Sequence, residues 1–229
     1  MPCLKRILIE KPLEASYRRG KEIKLIAGAR NLSVSVGYNL RFINAFDAIK
    51  KFINRHEKDI RIVEVAAGQD LREWRPYKDA GSSYSACRKL GGGVDLDLSH
   101  EIDYILWLFG RGFKKRIVFR ARVSDLEIDS PDVFKLVLEY KKFIIDMLLD
   151  YIRRPKERYL KIICEGGGAL YYDFVMGRLT INQKTYAGQN ETEESYKKML
   201  RAFLGIDRRN RARLCSVEEG MDVLRVLGI

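Results

Sequence analysis

Residues 116–123 (RIVFRARV), 133–140 (VFKLVLEY), 143–152 (FIIDMLLDYI), 159–164 (YLKIIC), 169–173 (ALYYD) and 178–181 (RLTI) follow one another at short polar intervals and set the fold class. These runs read as strands. Their close spacing predicts meandering antiparallel pairs, with Gly166-Gly167-Gly168 as a hairpin turn. Downstream, residues 191–204 read as a helix, and Ser216-x-x-Glu219 is a capping-box pattern ahead of a last helix over 221–227. Upstream the pattern changes to strand-helix units. Residues 5–9 (KRILI) read as a strand and 13–29 as a helix opened by Pro12. Residues 32–38 read as a strand, and 44–53 as a helix with Asn44 as cap and Ala45, Phe46, Ile49, Phe52 and Ile53 at helical spacing. Residues 60–66 (IRIVEVA) read as a strand and 68–88 as a long irregular segment. Residues 94–109 read as one helix that Gly110 ends. The class is α+β, a large open sheet, mixed but mostly antiparallel, flanked by helices.

Composition bounds the function. The chain has 229 residues, 46% hydrophobic and 32% charged, enough for one sizeable core. No apolar run reaches the roughly 18–20 residues of a membrane span, and the first residues lead straight into a strand, so the expectation is a cytoplasmic protein with no membrane partner. Cys3, Cys87, Cys164 and Cys215 show no C-x-x-C pairing and read as free thiols rather than metal ligands or disulfides. The net charge of +12 is dispersed. Its clusters, such as 114–116, 153–156 and 208–213, join no recognisable nucleic-acid module, which argues against nucleic acid as partner and fits an attraction for anionic small molecules.

Chemistry-bearing residues are few. Glu10-Lys11-Pro12 lies at a strand end, where a lysine can face a cleft at the carboxyl edge of a sheet; a solvent-facing lysine before a helix is the plainer reading. Asp97 and His100 stand three apart on the helix after Gly91-Gly92-Gly93, a carboxylate beside an imidazole suited to proton transfer near neutral pH. The spacing is equally that of a helix start with acidic Asp95 and Asp97 at the dipole and a half-buried imidazole. His56, at a helix end, is not a candidate. The three glycines could meet an anion with bare N–H groups or permit close backbone packing. No G-x-G-x-x-G occurs in the chain.

Taken in order, Glu10-Lys11-Pro12, residues 37–42 (GYNLRF), Gly68-Gln69 with Trp74-Arg75-Pro76, Tyr84-Ser85-Ala86 and residues 91–110 (GGGVDLDLSHEIDYILWLFG) resemble the Gfo/Idh/MocA family of NAD(P)-dependent oxidoreductases, closest to members of sugar-nucleotide and surface-polysaccharide pathways. The resemblance runs from about residue 4 to the C-terminus. It implies hydride transfer at a carbinol of a sugar or sugar nucleotide, with NAD or NADP as cofactor and a homo-oligomer, dimer or higher, paired through the sheet. It places Lys11 beside the nicotinamide and the reacting carbinol, with Glu10 and Pro12 as cofactor neighbours. His100 and Asp97 become acid/base residues. Asn39, Arg41, Trp74, Arg75 and Tyr84 become substrate contacts. Three departures stand out: Asp97 and His100 are three apart where many relatives have four, position 43 is Ile where relatives often have histidine, and Asp95 occupies a usually apolar position.

The resemblance also implies that residues 1–30 are the last strand and helix of a Rossmann-like domain, an incomplete remnant without the sheet it pairs with, and that residues 31–229 form the substrate-binding and oligomerisation domain. A nucleotide-binding domain on a separate polypeptide is then the expected partner, and the isolated chain is expected to be inactive and a doubtful binder of cofactor. An inactive remnant serving as a sugar-binding or dimerisation module is the alternative.

Overall fold

The computed structural model describes residues 5–74, 81 and 83–229. Its elements run β1 (Arg6–Ile9), α1 (Tyr17–Ala29), β2 (Ser33–Val36), α2 (Ala45–His56), β3 (Ile60–Gly68), α3 (Leu71–Trp74), α4 (Val94–Asp97), α5 (Ser99–Phe109), β4 (Lys115–Ala121), β5 (Val133–Glu139), β6 (Ile144–Asp150), β7 (Glu157–Cys164), β8 (Ala169–Asp173), β9 (Arg178–Ile181), β10 (Lys184–Tyr186), α6 (Thr192–Phe203), β11 (Cys215–Ser216) and α7 (Val217–Leu227).

The strand-rich stretch forms an eight-stranded sheet in the order β10-β9-β8-β7-β3-β6-β5-β4. All its pairs are antiparallel but one: β3 enters between β6 and β7 and runs parallel to β6. Alternation sets the faces. Phe134, Leu136, Leu138, Ile145, Met147, Leu149, Leu160 and Ile162 are fully buried on the side that α2 and α4 cover. Opposite lies the register row Ile117, Val137, Asp146, Glu64, Lys161, Tyr171. That face leaves Ile117 and Phe119 half exposed or more, among ion pairs from Lys135 to Asp146 and from Lys161 to Glu64.

A second sheet, β1-β2-β11, joins residues on both sides of position 30. This small sheet has the form of a short Rossmann-like element, as the remnant reading expects: β2 pairs with β1 in parallel, and the parallel strands end together at Ile9 and Val36. α1 packs on α7, whose capping box is complete, the Glu219 amide donating to Ser216 Oγ at 3.2 Å and the Ser216 amide to Glu219 Oε2 at 2.9 Å.

Four local expectations are corrected. Pro12 does not open α1; the helix starts four residues later on Ser16, whose hydroxyl accepts from the Arg19 amide, and Leu13 turns into the core. Asn44 precedes α2 but makes no side-chain cap; its Oδ1 accepts from Lys198 Nζ at 2.7 Å instead. β10 extends the sheet by a strand too short and polar to stand out in the sequence. Finally, 94–109 is two helices. The chain breaks at Leu98, where the Glu101 amide bonds to the Leu98 carbonyl and not to that of Asp97, one turn back.

Candidate active site

The broken helix frees the main-chain carbonyl of Asp97, and a side chain takes it: Lys11 Nζ donates to Asp97 O at 2.5 Å. Two elements meet at this contact. Lys11 follows β1 at the carboxyl end of the parallel pair, the edge at which open α/β sheets place ligands. Gly37 follows β2, and a Cβ there would stand 3.3 Å from both the Ile9 carbonyl and Glu10 Oε2, so the missing side chain lets the two strand ends close. The Lys11 ammonium is pushed below its ordinary pKa by burial and by the charge of Arg158, with Asp97 and Glu101 pulling the other way.

Lys11 opens onto a cleft of about 280 Å³ walled by Trp74, Tyr84, Ser85 and Asp97. Asp97 is oriented through its carboxylate, which accepts from the Tyr151 hydroxyl at 2.6 Å. Burial and the neighbouring charge hold that phenol far above its ordinary pKa, so it stays a donor. The wall carrying Tyr84 and Ser85 rests on Gly92. A Cβ on Gly92 would lie 2.3 Å from the Tyr84 carbonyl, so close backbone packing requires a glycine at this position.

His100 sits behind this cleft on α5, buried, its ring edge-on to Tyr38 at 5.5 Å. Its Nδ1 has no hydrogen-bond partner among the described residues. Burial first, then the charges of Lys11 and Arg158, lower its pKa well below 6.5, leaving a neutral imidazole at neutral pH. Because Leu98 interrupts the helix, Asp97 and His100 do not share one continuous helical face, as their spacing predicts.

Lys11, Asp97, Trp74 and Tyr84 are thus brought to one cleft, with Glu10 and Pro12 flanking Lys11 in the chain. Arg75 lies outside the described residues. Asn39 and Arg41 sit elsewhere. Asn39 donates to Ser195 Oγ at 2.8 Å, and its own Oδ1 is buried without a partner among the described residues. Arg41, 2% exposed, forks onto both oxygens of Asp103 at 2.6 and 2.8 Å and reaches Glu219 at 2.8 Å. It borders a separate pocket of about 150 Å³ with Trp107 and Arg111. Burial opposes the Arg41 charge and Asp103 outweighs it, so the guanidinium is committed to a network joining the turn after β2, α5 and α7.

The sequence reading missed Tyr151 and the buried pair in which Arg158 holds Glu101 at 2.6 and 3.0 Å. Tyr151 ends an apolar run and carries no mark in sequence; the partners of Glu101 and Asp95 lie on strands far along the chain. Asp95, the residue at a usually apolar position, is wholly buried between Arg88 at 2.9 Å and Arg120 at 2.8 Å. The described residues contain no His/Cys/Asp/Glu cluster fit to hold a metal, and no helix among them is long and apolar enough to cross a membrane. His56 lies tilted against Phe52, ring centroids 4.5 Å apart, near Gly168 in the turn between β7 and β8, and does not line the cleft.

No established family profile matches the chain. Over 146 residues, 62% of the chain, it is 30% identical to scyllo-inositol 2-dehydrogenase (NADP(+)) IolW of Bacillus subtilis (strain 168). The matched segment spans only 39% of that enzyme's length. Among solved structures, the inositol dehydrogenase homolog complexed with NAD+ from Azotobacter vinelandii superposes with a TM-score of 0.80 at 14% identity, covering 97% of this chain and 68% of that one. The WlbA dehydrogenase from Bordetella pertussis, in complex with NADH and UDP-GlcNAcA, gives 0.77 at 17% identity, covering 97% and 67%. In fold and in remote sequence likeness, the chain matches the Gfo/Idh/MocA-type oxidoreductases.

Proposed function

We propose that this chain supplies the substrate-binding part of an NAD(P)-dependent oxidoreductase that acts on a carbinol of a sugar or sugar nucleotide. The observation that carries the reading is Lys11, held on the Asp97 carbonyl at the mouth of a polar, aromatic-walled cleft at the ends of parallel strands. The likeness to dehydrogenases of inositols and sugar nucleotides supports it.

The described residues fit one end of such a cofactor. Glu10, Lys11 and Pro12, just past the carboxyl end of the parallel pair, would hold the nicotinamide end, whereas no glycine-rich anion cradle follows a strand in this sequence. When bound, the nicotinamide supplies the hydride acceptor. The chain's own groups do the rest. Lys11 donates a hydrogen bond to the substrate hydroxyl oxygen and stabilises it as its proton leaves. The neutral imidazole of His100 takes that proton, and Asp97, fixed by Tyr151, keeps Lys11 in place. Trp74 and Tyr84 wall the ring. The open sheet face with Ile117 and Phe119 supports pairing of two copies.

Ligand-observed NMR on the chain with a panel of inositols, hexoses and UDP-sugars tests the reading. Saturable binding that Lys11→Ala weakens about tenfold is expected. Binding by no member of the panel, or binding that Lys11→Ala and His100→Ala both leave intact, overturns it, the latter in favour of an inactive binding module. Titration with NADH, followed by its fluorescence, is expected to show no micromolar site on the chain alone.

A further inference from the structure

Trp74 borders two lobes. Beyond the one that holds Lys11, a smaller lobe is lined by Gln69, Leu98, Lys156 and Arg158. Its floor follows from strand register: β3 and β7 pair Ala67 with Arg158 and Gly68 with Glu157, so Gln69 and Lys156 face each other one step past the last pair.

The charges of this lobe do not cancel. The Arg158 guanidinium is spent on Glu101, and Glu157 is taken by Arg153 at 2.6 Å. Lys156 makes no hydrogen bond or ion pair with any described residue. Lys156 is exposed at the rim of the lobe, where burial and the Arg158 charge press its pKa down and Glu101 pulls the other way. An anion placed there would gain from Lys156 directly and from the Lys11 field, and Gln69 offers an amide donor.

Resting on the reading of the Lys11 cleft as a sugar site, we propose that the second lobe takes an anionic substituent of the substrate, a carboxylate or a phosphate, on Lys156. The sugar ring then lies along Trp74, which both lobes share, with its reacting hydroxyl at Lys11 and its anionic group at Lys156. The substrate class becomes acidic or phosphorylated sugars, and Lys156 sets that specificity without taking part in the chemistry.

The test is a ligand-observed NMR titration of the whole chain with D-glucuronate, D-glucose 6-phosphate and D-glucose. It is run at physiological ionic strength to screen the general attraction of a chain of net charge +12. At least one anionic sugar is expected to bind about tenfold more tightly than glucose, and whichever binds more tightly identifies the carboxylate or the phosphate. Lys156→Gln is expected to abolish the preference. Lys184→Gln, which removes one positive charge from β10, three strands away in the sheet, is expected to keep it. Equal affinities for all three sugars, or a preference that survives Lys156→Gln, overturn the anion lobe and leave the sugar site standing. Binding of none of the three overturns both.

Discussion

At the scale of single residues, the site turns on two groups whose protonation burial controls. The folded chain holds His100 neutral where the unfolded chain binds a proton below pH about 6.5. Its contribution to stability is therefore lost as the pH falls from 6.5 toward the folded pKa, with a limiting slope of about 1.4 kcal/mol per pH unit. Urea melts between pH 7 and 5 are expected to show His100→Asn losing less stability than the wild type over that interval; parallel curves would show that His100 does not titrate on unfolding. Lys11 was legible as a candidate because Glu10-Lys11-Pro12 sits at a strand end. What fixes it was not, since a main-chain carbonyl has no signature in a sequence and Asp97 draws attention to its carboxylate instead. Arg41 shows the opposite case: an arginine in a motif reads as a ligand contact, yet its guanidinium is paired with Asp103 and Glu219.

At the scale of elements, helix periodicity finds α5 but not the break before it. Residues 94–109 keep apolar spacing across Leu98, and only the tertiary contact from Lys11 shows why the backbone yields there. The strands of the large sheet other than β10 were legible to within a few residues because they are short runs rich in β-branched, aromatic and other apolar residues. The insertion of β3 between β6 and β7 was not, because β3 reads like any half-buried strand and its partners lie about 80 residues or more downstream. The Arg41 network tests how these elements hold together. Arg41→Ala strands the Asp103 carboxylate in the core and is expected to cost about 3–5 kcal/mol in a urea melt. The double variant Arg41→Met/Asp103→Leu is expected to recover most of that loss. A loss below about 1 kcal/mol for the single variant would mean that solvent reaches the pair.

At the scale of the whole molecule, the two sheets have different exposures. The small one ends at β1, whose outer edge carries no strand among the described residues, and the large one presents a face with Ile117, Phe119, Ile144 and Tyr171 to solvent. Sedimentation is expected to find the chain as an oligomer at micromolar concentration, and Phe119→Glu to shift it toward monomer with its secondary structure unchanged; a monomeric wild type would remove this face from the account. The strand order also bears on time. β4 to β6 and β7 to β10 are each built from neighbours in sequence, so both can form early, whereas β3 must wait for the two meanders to flank it. Trp74 follows β3 by a few residues and stacks edge-on to Tyr151 in the crossover from β6 to β7, at 5.5 Å. In a Trp107→Phe background the fluorescence of Trp74 then reports the slowest step of refolding, and the cleft comes into being only when the middle of the sheet closes.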